Sequence, residues 1–165
     1  MIWSKKMRVF QDRLAPSLKG RLSIKTAGYR DAYEERGRSW VEYDGKEILA
    51  FCDFRHENRW RELGRDLDAV QAEGVYSKQD FGVALGQFID SKIEEALASE
   101  NPLVRALAMV DRRVGRRRLV KLSKEQIEGA ARALLEVRLI AERIGVRKVQ
   151  GGCKSPFPAT LDDTL

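Results

Sequence analysis

The spacing of apolar side chains divides the chain into a strand-bearing N-terminal third and a longer helical remainder. Behind Ser4, a residue suited to an N-cap, Met7, Phe10 and Leu14 recur at helical intervals, and Pro16 closes the run. In GRLSIKT, Leu22 and Ile24 alternate with Arg21, Ser23 and Lys25, which predicts a strand with one apolar face. AGYRDAYEERG reads as a polar loop carrying Tyr29, Arg30, Tyr33 and Arg36. The clearest strand signal is RSWVEYDGKEILAFCDF. Its Asp44-Gly45 pair suits the positive φ angles of a two-residue hairpin turn. The register that follows sets Val41 opposite Ile48, Trp40 opposite Leu49 and Glu42 opposite Glu47. The run from Ile48 to Phe54 is nearly all apolar and predicts a strand covered on both faces.

From about residue 56 the period becomes helical. Trp60, Leu63, Leu67 and Val70 predict one helix, with Gly74 as its C-terminal cap. Ser77 and Asp80 open the next, which buries Phe81, Leu85, Phe88, Ile89, Ile93 and Leu97. Gly82 and Gly86 inside it suit close helix packing. Asn101-Pro102 restarts the chain with an N-cap and a proline at the first helical position. Ser123 and Gln126 form a capping box for a last helix whose stripe is Ile127, Ala131, Leu134, Val137, Ala141 and Ile144, with Gly145 at its end. Strands grouped ahead of helices give an α+β fold: a small antiparallel sheet of about three strands, with about four helices packed on it. Residues 1–149 form one domain. Residues 150–165, rich in glycine, proline and small polar side chains, read as a mobile tail, with docking through Phe157 as the alternative.

Composition narrows the classes. At 43% hydrophobic and 34% charged, the 165 residues suit a packed core rather than a disordered chain. No apolar run approaches a bilayer span, and the basic N-terminus has no long apolar segment behind it. With only Cys52 and Cys153, neither a disulfide framework nor a zinc site is suggested, and a cytoplasmic location follows by default. The net charge of +6 is uneven, with −5 over residues 51–100 and +8 over residues 101–150. That asymmetry suits a face for a polyanion, and equally an acidic helix packed beside a basic one.

Four segments taken together carry a resemblance: WSK at Trp3–Lys5, LKGRLSI at Leu18–Ile24, GRSWVEYDGKEI at Gly37–Ile48 and NPLVRALAMVDRRVGRRRL at Asn101–Leu119. In them the chain resembles a family of small bacterial hypothetical proteins over roughly residues 3–122. The last block is the most specific, since Asn-Pro, Arg-Ala-Leu-Ala and Asp-Arg-Arg-x-Gly-x-Arg-Arg-Leu fall at fixed offsets. The resemblance implies a cytoplasmic bacterial domain of its own type and brings no catalytic residue with it.

Candidate chemistry is sparse. The single histidine, His56, reads as a polar residue at the strand-to-helix junction. Phosphate-loop, zinc-protease and serine-hydrolase signatures are absent from the sequence. Glu42 and Glu47, facing one another across the hairpin, need compensation. A metal ion would supply it, and with it a metal-dependent nuclease. So would Arg21 or Lys25 from the neighbouring strand, or solvent. Asp53 on the same face lies about 20 Å along the strand, too far to share one ion. No cofactor is called for.

The basic block DRRVGRRRL packs five arginines into seven positions. If residues 102–114 are helical, Leu103, Leu107, Val110 and Val114 share one face and Arg105 and Arg112 the other. A helix running on through Gly115 adds Arg116 to that ridge. Flanked by Arg113, Arg117, Arg118 and Lys121, the ridge would contact successive phosphates, and the tyrosines and arginines of residues 29–36 would stack on bases. If instead the helix stops at Gly115, RRRLVKL is an extended segment docking Leu119, Val120 and Leu122. Its arginines then pair with acids such as Glu94, Glu95 and Glu100. Three functions follow from these alternatives. The first is a non-enzymatic binding or adaptor protein with a nucleic-acid or polyanion surface. The second is a protein-interaction module, regulatory or toxin-neutralising. The third is the nuclease.

Overall fold

The computed structural model describes residues 2–30 and 35–145. The tail expected over 150–165 lies outside the described residues. Helix α1 (Trp3–Arg13) and a single 3-10 turn (Pro16–Leu18) lead into β1 (Leu22–Arg30), β2 (Glu35–Tyr43) and β3 (Lys46–Cys52). Seven more helices follow among the described residues: α2 (Asp53–Glu62), α3 (Leu67–Ala72), α4 (Lys78–Asp90), α5 (Ile93–Leu97), α6 (Pro102–Met109), α7 (Arg116–Leu122) and α8 (Gly129–Ala141). The architecture is α+β, with a three-stranded antiparallel sheet in the order β1-β2-β3.

The hairpin forms where the sequence places it, with Asp44 at φ 49° and Gly45 at φ 79°. Its register is corrected beyond the first pair. Glu42 does face Glu47, but Val41 pairs with Leu49 and Trp40 with Ala50, because a bulge at Val41/Glu42 leaves Ile48 as the extra residue. The polar loop expected at residues 27–37 is mostly strand: Tyr29 pairs with Arg36 and Arg30 with Glu35. Nor is β3 covered on both faces. Only Phe51 of that strand is buried, and the chain becomes helical at Asp53.

The helical periods over 60–70 and 81–97 each break into two helices. Gly64 and Arg65 take positive φ and separate α2 from α3, and Ser91 and Lys92 in extended conformation separate α4 from α5. The capping box of Ser77 and Asp80 is present, and Asn101 accepts from the backbone N–H of Leu103 and Val104. Ser123 is not the cap of α8. It ends α7, donating to the Val120 carbonyl, and α8 starts at Gly129 behind Glu128.

One apolar core joins the inner sheet face (Leu22, Val41, Phe51) to α1 through Phe10 and to α4 through Phe81, Leu85 and Phe88, with α6 and α8 completing it. Lys6 of α1 donates to the Gly82 carbonyl at 3.1 Å. A Cβ on Gly86 would come within 3.0 Å of the same ammonium, whereas one on Gly82 would meet open space, so only at Gly86 does the missing side chain serve the approach of α1. No helix among the described residues is long and apolar enough to cross a membrane.

Candidate functional site

The basic block is neither one helix nor an extended strand. Helix α6 stops at Met109, and Gly115 opens α7 as its N-cap. The turn between them is built on two buried charges. Asp111, 1% exposed, accepts from the backbone N–H of Arg113 at 2.8 Å and from its guanidinium at 2.7 Å. Arg138 of α8, 3% exposed, reaches the carbonyls of Val110 and Val114 at 3.3 and 3.5 Å and pairs with Glu142 at 2.5 Å. The Arg112 N–H donates to the Arg13 carbonyl, which ties the turn to the end of α1. Within the basic block, then, Asp111, Arg113 and Val114 are structural.

The ridge of Arg105, Arg112 and Arg116 is therefore broken, since its three members sit on α6, on the turn and on α7. Arg105 is half-buried, its Nε without a hydrogen-bond partner, beside a 410 Å³ hollow shared with Gln126 and Glu128. Arg113 is held by Asp111, whose hydrogen bonds raise its pKa. Arg118 pairs with Glu94 at 3.2 Å. The pKa of Glu94 is lowered first by its own backbone hydrogen bond and then by Arg118. Among the described residues Arg116 reaches only the Glu142 carbonyl, at 3.3 Å. Arg112, Arg117 and Lys121 are exposed and make no ion pair among the described residues.

The aromatic–arginine segment does not join them in a visible site. Tyr29 and Arg30 are strand residues, and Tyr33 lies outside the described residues. Arg36 is engaged by Glu57 at 3.1 Å and lies 5.0 Å over the Phe54 ring. Glu42 and Glu47 are each compensated by a cation. Lys25 meets Glu42 at 2.6 Å and Arg38 meets Glu47 at 2.5 Å. The bonds from Lys25 and the Trp40 indole lower the pKa of Glu42. No group of three potential metal ligands gathers among the described residues. Asp53 begins α2 rather than ending a strand, and its two oxygens accept from the backbone N–H of Gly37 and Lys78 at 2.7 and 2.8 Å.

A second feature escaped the sequence. The start of α4, the first turns of α2, Arg36 of β2 and Trp3 of α1 enclose a cleft of 860 Å³. His56 lines it, with Nε2 3.7 Å from the Asp80 carboxylate, too long for a hydrogen bond. The capping box read from the sequence places Ser77 and Asp80 on one helix start, but no spacing in the sequence brings Trp3 or Arg36 to it.

No curated protein and no solved structure matches the chain. A family model does, over residues 2–139, that of the SF0329 protein family.

Proposed function

The chain belongs to the SF0329 protein family, and from that premise we propose a cytoplasmic, non-enzymatic binding or adaptor protein whose ligand is nucleic acid. The observation that carries this reading is the division of labour inside the basic block. Asp111 and Glu94 engage Arg113 and Arg118, while Arg112, Arg116, Arg117 and Lys121 stand exposed without a carboxylate partner among the described residues. Guanidinium groups with free N–H forks bind phosphate bidentately and release counterions on doing so. Arg117 and Lys121 are one helical turn apart on α7 and face the same way. Arg112 and Arg116 extend the patch toward the turn.

Anisotropy of labelled DNA duplex and single-stranded RNA at two salt concentrations tests the proposal. Three to four phosphate contacts predict that duplex affinity falls about 40- to 150-fold between 50 and 200 mM salt. The triple variant Arg112→Ala, Arg117→Ala, Lys121→Ala should flatten most of that dependence. Absence of binding at low salt, or a triple variant that binds as well as the parent, would overturn the reading. So would capture of polyglutamate in preference to either nucleic acid.

A further inference from the structure

The 860 Å³ cleft lies within the size range of small-molecule sites and is lined about half by polar groups whose bonding state is uneven. Its carboxylates are already occupied. Asp53 holds two backbone N–H groups, Asp80 accepts from the Ser77 N–H and hydroxyl, and Glu57 is engaged by Arg36 and Arg61. Its donors are not. The Lys78 ammonium, the Trp3 indole N–H and the Gln79 amide make no hydrogen bond or ion pair among the described residues, and His56 Nε2 is buried without a partner. Of the backbone N–H groups at the start of α4, those of Lys78 and Asp80 are taken by Asp53 and Ser77.

Lys78 is seated in a specific way. Gly37, in mid-strand, has an ordinary β conformation, so the glycine is not required by the backbone. It is required by space: a Cβ there would stand 2.7 Å from the Ala27 carbonyl oxygen of β1 and 2.5 Å from Lys78 Nζ. The missing side chain lets the ammonium lie on the sheet at the cleft wall, while Asp53 fixes the same strand to α4. Arg36 is paired with Glu57 while the half-buried Lys78 ammonium pairs with no carboxylate among the described residues, so Lys78 is the cation of the cleft open to a ligand.

We propose that this cleft binds a small organic anion with a flat apolar body, its carboxylate or phosphate on Lys78 and its ring against Trp3. His56 forms the wall beside them. The site is separate from the basic face of α7 and does not depend on the nucleic-acid reading.

The chain's single imidazole gives an unambiguous reporter by NMR. Benzoate and phenyl phosphate should shift the His56 resonances saturably, with benzylamine and inorganic phosphate each at least about tenfold weaker. Lys78→Met should weaken both aromatic anions about tenfold, and Lys78→Arg should retain them. The triple variant of Arg112, Arg117 and Lys121 should bind them as the parent does, which separates this site from the nucleic-acid face. If benzoate binds and phenyl phosphate does not, the head group is carboxylate; the reverse assigns phosphate. Benzylamine binding more tightly than benzoate, or no saturable shift with either anion on the folded parent, would overturn the proposal.

Discussion

Asp111 attracts three arginines, Arg13, Arg113 and Arg138. Burial lowers the pKa of Arg13 and Arg138, and Asp111 opposes that fall in both. Its carboxylate has no exposure, whereas the Arg113 side chain keeps 33% of its own. Removing the charge of Asp111 therefore leaves a buried guanidinium less compensated, while removing Arg113 leaves a carboxylate with other cations in reach. Asp111→Asn should cost about 3 kcal/mol and Arg113→Ala roughly half of that. Urea denaturation at neutral pH measures both, and the reverse order would show that Arg113 is the main partner. The arginines are numerous in the sequence, but their number is silent on which are structural. That depends on Asp111 and Arg138, 27 positions apart in the chain, meeting at one turn.

At the scale of elements, two serines look alike in sequence and differ in the fold. Ser77 caps α4, accepting from the Asp80 N–H at 3.0 Å, while Asp80 accepts from the Ser77 N–H at 2.9 Å. Ser123 sits in the last turn of α7. Ser77→Ala should cost about 1 kcal/mol, and Ser123→Ala less than about 0.5 kcal/mol. Chemical denaturation of the two variants side by side would reveal an error in either assignment. The same contrast explains the broken helical periods. Apolar spacing continues through Ser91-Lys92 because both sides of that break bury residues in one core, whereas at Gly64 α2 buries none and α3 only Val70. Periodicity reads the burial and misses the change of axis.

For the whole molecule, the core lies between the inner sheet face and the α1, α4, α6 and α8 layer, and α2 buries none of its residues fully. Phe88 of α4 has no exposure and stands edge-on to Phe10, whereas Phe54 of α2 is 38% exposed. Phe88→Ala should cost about 3–5 kcal/mol and Phe54→Ala about 1 kcal/mol. Equal losses in thermal unfolding would mean that α2 belongs to the core. The loose hold on α2 bears on the cleft, one wall of which it forms with His56 and Glu57.

Local pattern is enough for the centres of the strands, the Asp-Gly hairpin, the N-caps at Ser77 and Asn101 and most buried positions, because alternation, helical spacing and turn chemistry act within a few residues. It is enough, too, to mark residues 111–119 as basic. Three things came only from the packed chain. The bulge at Val41/Glu42 shifts every pair beyond it. The buried Asp111 and Arg138 decide which arginines face inward. The cleft brings Trp3, Arg36, His56 and Lys78 together from four elements. Each of these rests on contacts between residues far apart along the chain, and such contacts leave no period in the sequence.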